Sequence, residues 1–132
     1  MKFVCFGYYD EGKWAAMTER EKNDFADVCF AYDEVLRKNG NYFGGEALQS
    51  SGSAVTLRWQ DGKVSVADGP YTATREQLGG ILVLEARDLK HAVQLISNHP
   101  GLKGGPFEIR PAEDLPAWVA ASERRRAARK GA

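Results

Sequence analysis

The sequence is poor in the residues that staple or metallate small proteins. Among 132 residues there are two cysteines and two histidines. Cys5 and Cys29 lie far apart with no Cys-x-x-Cys, and no cysteine sits near His91 or His99. That spacing excludes a zinc finger and a disulfide framework, so no metal is expected. Both cysteines read as small buried apolar residues. No apolar run approaches the ~20 residues that cross a bilayer. The opening MKFVCFGYYDEG has too short an apolar stretch, and no small-residue cleavage site, for a signal peptide. A cytoplasmic location is therefore expected. Net charge is also missing, because 18 Lys and Arg balance 18 Asp and Glu. Such a chain is not drawn as a whole to nucleic acid by phosphate attraction. The balance is uneven, however. Arg124, Arg125, Arg126, Arg129 and Lys130 sit together at the end, and residues 1–123 carry a net charge of −5. Phosphate contact is thus confined to the last nine residues, which read as a solvated or subunit-crossing tail.

What is present is ordinary for one domain with a real core: 43% hydrophobic and 27% charged residues. Residues 2–9 form an aromatic and apolar run of strand type, and residues 10–14 read as a polar loop. Thr18-Glu19-Arg20-Glu21 matches a capping box. Behind it Phe25, Val28, Cys29, Tyr32, Val35 and Leu36 make one helical stripe, which Gly40 closes as a left-handed cap. Asn41 to Ser53 is a short strand plus loop. Two alternating runs, 54–59 and 63–67, flank Asp61-Gly62, the signature of a tight hairpin. Residues 68–80 read as a loop, and residues 81–86 as a buried strand. Asp88 can cap a second helix bearing Leu89, Ala92, Val93 and Ile96 on one face. A strand at 107–110 follows. The Ala- and Arg-rich remainder reads as a helix docked through Leu115, Trp118 and Val119 and frayed beyond Glu123.

Two helices, each lying between strands, predict an α+β fold of the split βαβ, ferredoxin-like kind with an added β-hairpin. Residues 1–113 form the domain and 114–132 a helical, basic tail. Strands 2–9 and 81–86 are the most apolar and are expected centrally. One helix layer leaves the other sheet face uncovered, and a second copy meeting it face to face would cover it, giving a homodimer.

Three blocks carry a family resemblance. The run Asp68-Gly69-Pro70-Tyr71, continuing through Arg75-Glu76-Gln77-Leu78-Gly79-Gly80, resembles the DGPF-type branch of the YCII-related family. Gly44-Gly45-Glu46-Ala47-Leu48 and Gly104-Gly105-Pro106-Phe107-Glu108-Ile109-Arg110-Pro111 extend the likeness over residues 2–111. Tyr71 stands where the family has Phe, and Arg75 where it has Lys. The resemblance implies a ferredoxin-like fold paired into a dimeric α/β barrel. It also implies a link to transcriptional regulation, since some DGPF-type proteins are encoded beside extracytoplasmic-function sigma factors. The matching Asp of the wider family has been put forward as an acid/base residue, which points to Asp68. The His that partners it in that family is absent, as Met17-Thr18-Glu19-Arg20 occupies its place.

Several residues could carry chemistry. Asp68 beside a pocket could act as acid or base if apolar neighbours raised its pKa; as the residue before Gly-Pro it equally suits a turn. His99, before Pro100, is a second catalytic candidate. Arg58 and Arg75 could hold a small anionic ligand, because a guanidinium binds carboxylate or phosphate through a planar fork, with Tyr71 and Glu76 beside them. Gly79-Gly80 and Gly104-Gly105 match no nucleotide-binding pattern and read as bulges or close approaches, so no cofactor is expected. Two functions follow. One is a small-molecule enzyme using Asp68. The other is a non-catalytic ligand-binding or regulatory module working with a sigma factor.

Overall fold

A computed structural model describes residues 1–131. The order is β1 (Lys2–Asp10), α1 (Glu11–Ala16), α2 (Glu19–Lys38), β2 (Tyr42–Ala47), β3 (Val55–Gln60), β4 (Lys63–Asp68), β5 (Glu76–Glu85), α3 (Leu89–Ser97), β6 (Phe107–Pro111) and α4 (Leu115–Gly131). Single 3-10 turns occupy Ser51–Ser53 and Pro100–Lys103.

Four strands form an antiparallel sheet in the order β2-β5-β1-β6. The two apolar strands, β1 and β5, are its centre, where the helical layer buries Phe3, Cys5 and Leu84. The helices α2 and α3 pack on one face, so the molecule is a mixed α+β fold of the split βαβ kind. Its core is Phe3, Cys5 and Leu84 of the sheet against Leu36 of α2 and Ala92 and Ile96 of α3. Each of the large residues among them contributes about 1.5–3 kcal/mol by leaving water. Burial also pushes the Cys5 thiol up to about 11. Both cysteines are free thiols.

Local chemistry sets the boundaries. Thr18 Oγ1 accepts from the Glu21 amide at 3.1 Å while the Glu21 carboxylate accepts from the Thr18 amide at 2.9 Å, completing the capping box. Gly40 ends α2 at φ +78°. Asp61 and Gly62 both take positive φ, 52° and 76°, as the primed turn of a two-residue hairpin demands.

Four expectations need correction. Residues 10–14 are not a loop: Asp10 caps α1 by accepting from the Lys13 amide at 3.1 Å. Trp14 holds α1 down, with its ring edge-on to Tyr9 and Phe25. The strand expected at 81–86 begins instead at Glu76. Two polar residues and two glycines hide its first half, and Gly79 is the extra residue of a bulge opposite Gly7 and Tyr8. The α2 stripe is wider than its contact with the sheet, which leaves Val28 and Val35 each 51% exposed. The last helix neither frays at Glu123 nor docks: α4 runs on to Gly131, and Leu115 and Trp118 are 59% and 62% exposed.

The hairpin of β3 and β4 is a separate two-stranded ribbon. Leu57 opposite Val66 and Trp59 opposite Val64 give it one apolar face, and all four side chains are exposed. On the main sheet the face away from the helices carries Val4, Phe6, Ile81 and Val83, paired as Val4 with Val83 and Phe6 with Ile81. No helix among the described residues is long and apolar enough to cross a membrane.

Candidate functional site

The site is built at the far end of β1, where the strand must be approached closely from both sides. On one side, Tyr8 donates its amide to Pro106 O at 2.9 Å. A side chain at Gly105 would place its Cβ 1.9 Å from Tyr8 O, so this approach needs glycine. On the other side the Gly79 bulge lies against the Tyr9 ring, 2.7 Å from where a Cβ would sit. Gln77 then pins the incoming loop by donating to Thr72 O and Thr74 O, both at 2.8 Å. Thr74 Oγ1 closes the turn onto Glu76 O at 2.7 Å. Two of the three blocks that carried the family resemblance, 74–76 and 104–106, are thereby brought to face each other across the end of β1.

Between them is an open groove of about 790 Å³. Asp10 and Tyr8 belong to its β1 side, Arg75 and Glu76 to one wall, and Lys103 with Gly104 and Gly105 to the other. Lys13 of α1 completes it, and a smaller adjoining hollow shares Asp10, Lys13 and Arg75. The Asp10 side chain is only 15% exposed and divides its oxygens: Oδ1 accepts from the Lys13 amide at 3.1 Å, and Oδ2 meets Arg75 Nε at 3.3 Å. The Arg75 side chain is 84% exposed, so the rest of its fork points to solvent. Three cations thus surround a groove holding two carboxylates, one of them already engaged. Such an arrangement can hold a small anion.

The expected site residues fall in three places. Arg75 and Glu76 are in the groove. Arg58 and Tyr71 meet beside the ribbon, with the guanidinium 5.0 Å from the ring centroid. Asp68 ends β4 opposite Val55, exposed, on the ribbon face of Val66 and Leu57 and so away from Arg58. Its neighbour Gly69 takes φ +109°, donates to Ala54 O at 2.7 Å and accepts from Thr56 Oγ1 at 2.8 Å, which anchors the ribbon's base. His99 is buried in the helical layer, away from both. Its Nε2 lies 2.8 Å from Asp33 Oδ1, and its Nδ1 accepts from the Gly101 amide at 2.9 Å. With one nitrogen accepting from a backbone N–H, the other must carry the proton to Asp33. Tyr32 and Phe107 pack on the ring. The pair docks the 100–103 turn onto α2.

Asp10, Lys13 and Lys103 were not singled out in the sequence. Asp10 had a local signal, an acid ending a strand three residues before Lys13, the pattern of a helix cap. Lys103 had none, since only the Gly105 contact brings it to β1. Among the described residues no group of three His, Cys, Asp or Glu side chains could hold a metal.

Residues 1–116 match the YCII-related domain, and the chain belongs to that family. An uncharacterised protein of Rhizobium meliloti (strain 1021) is 26% identical over 113 residues, covering 84% of this chain and 91% of that protein. A solved structure similar in fold is 5-chloro-2-hydroxyhydroquinone dehydrochlorinase (TftG) from Burkholderia phenoliruptrix AC1100, in complex with 2,5-dihydroxybenzoquinone. It aligns with a TM-score of 0.51 at 17% identity, over 86% of this chain and 94% of that one. At that identity the likeness concerns the fold, and it is consistent with the ferredoxin-like α+β arrangement.

Proposed function

We propose that the chain is a DGPF-type member of the YCII-related family that binds a small anionic molecule in the Asp10–Arg75 groove, and that it works as a homodimer. One observation carries the binding reading: segments 74–76 and 104–106, far apart in sequence, converge on one groove and set Arg75, Lys13 and Lys103 around it. An arginine fork and two ammonium groups suit a carboxylate or a phenolate. The Tyr8 side and Leu102 add an apolar margin for a ring or short chain. Isothermal titration with benzoate tests it. Arg75→Glu and Lys103→Glu are each expected to weaken binding about tenfold or more, because an attractive charge becomes a repulsive one. Affinity equal to that of the natural chain in either variant contradicts the reading.

A second reading, a small-molecule enzyme, is supported by Asp10. Its carboxylate is shielded, lies in the groove and is the one there positioned by two partners. The fold neighbour is a dehydrochlorinase holding a dihydroxybenzoquinone, an acidic ring compound of the class the groove suits. If chemistry occurs, Asp10→Asn abolishes turnover while binding survives. Asp68 as acid or base is compatible only with a pocket completed by another copy, because in one protomer it stands in solvent. The homodimer reading rests on the sheet face away from α2 and α3, where Val4, Phe6, Ile81 and Val83 stay only half-buried.

A further inference from the structure

The family match ends at residue 116, yet α4 continues to Gly131, so nearly all of this helix is an addition to the domain. One of its faces changes character along its length. Leu115, Trp118 and Ser122 recur at i, i+3 and i+7, and Arg125 and Arg129 continue the line at i+10 and i+14. Val119 and Arg126 flank it. The face is apolar where the helix begins and cationic where it ends. Leu115, Trp118 and Val119 are 59%, 62% and 42% exposed, so nothing in the same chain covers it.

A face of α2 has the reverse order with the same spacing. Glu21, Asp24, Val28, Ala31 and Val35 stand at i, i+3, i+7, i+10 and i+14. Every one of these side chains is exposed. Here the acids come first and the apolar residues last. Both lines span 14 residue steps, about 21 Å of helix. Laid antiparallel, they match at both ends: Leu115 with Val35 and Trp118 over the small Ala31, then Arg125 with Asp24 and Arg129 with Glu21, with Ser122 facing Val28 at the changeover. That is the spacing at which two helices interdigitate along a seam.

We propose that α4 docks antiparallel on α2 of a second copy of this chain. Its own α2 is out of reach. The helix α2 packs over β2 and α3 over β6, at opposite edges of the sheet. The chain leaves β6 tied by the Ala112 amide to Lys2 O at 2.9 Å, and only residues 112–114 separate it from α4. Three residues reach about 10 Å, whereas three strand spacings, about 14 Å, separate β6 from β2. Charge supports the same partner, since the five cations at the end of α4 complement a body of net charge −5. The contact uses the helical layer, so it does not compete with sheet faces meeting on the other side.

Sedimentation velocity of the full chain over the micromolar range, with thermal melts, tests the proposal. Arg125→Glu and Asp24→Arg are each expected to weaken the self-association step about tenfold or more, because like charges then face each other. The double variant is expected to recover to within about threefold of the natural chain. Both side chains are exposed, and circular dichroism verifies that each variant folds. Unchanged association in either single variant overturns the proposal, as does a double variant no better than the worse single one. Rescue seen only in melting temperature, independent of concentration, would place α4 on its own α2 and overturn it too. So would loss of binding to anionic lipid vesicles or duplex DNA in Arg125→Glu while self-association is unaltered.

Discussion

Gly105 is the residue on which the groove most depends. Any side chain there runs into the Tyr8 carbonyl, a backbone atom that cannot rotate aside. Gly105→Ala is expected to cost about 1–3 kcal/mol, the usual range for overpacking, measured by chemical denaturation. The same change should lower benzoate affinity, because it forces Lys103 away from β1. His99 offers a contrasting residue-scale test. Replacing it with alanine removes a ring packed by Tyr32 and Phe107 and strands both the Gly101 amide and the Asp33 carboxylate. A loss of about 2–4 kcal/mol is expected, with benzoate affinity unchanged in the fraction that remains folded. A fall in affinity as large as that of Arg75→Glu would tie His99 to the site instead of to the fold.

At the scale of elements, two carboxylates, Glu11 half-buried and Glu21 exposed, bind segments together and make stability depend on pH. Glu11 accepts from the Ser51 hydroxyl and, at 3.0 Å, from the Ser51 amide, tying α1 to the 51–53 turn. Glu21 closes the α2 capping box. These hydrogen bonds hold both carboxyls below their ordinary value of 4.5. A folded pKa below the unfolded one means that the contribution is complete above the ordinary carboxylate range and is lost as pH falls through the folded value. Melting temperature should therefore decline on the acid side, and Glu11→Gln should flatten part of that slope. A slope identical to that of the natural chain would show that the tie to the 51–53 turn contributes nothing.

The elements also show what the sequence could and could not reveal. The capping box of α2, the Asp61-Gly62 turn and the central position of β1 and β5 were legible because each depends on a local pattern or on apolar content alone. The first half of β5 was hidden because its residues are chosen for a bulge, with Gly79 supernumerary and Gln77 spent on pinning a loop. The docking of α4 was misjudged because an apolar stripe says that a helix wants a partner and not that its own chain supplies one. The site divided in the same way. Arg75 and Glu76 were found through a motif, whereas Asp10, Lys13 and Lys103 join them only through long-range approach at Gly105.

At the scale of the whole molecule, the ribbon face around Trp59 and the first turns of α4 are exposed, and the sheet face around Phe6 is only half-buried. A monomer seldom leaves that much exposed. Self-association at micromolar concentration is expected, and a stable monomer of about 15 kDa would mean that these surfaces serve another partner. The central claim, however, concerns the groove, and a heteronuclear NMR titration of the full chain with benzoate tests it most directly. Binding in the groove predicts shifts confined to the amides of Lys13, Arg75, Lys103, Gly104 and Gly105, all abolished in Arg75→Glu. Shifts centred instead on Arg58, Asp68 and Tyr71, or scattered over the surface, would contradict it.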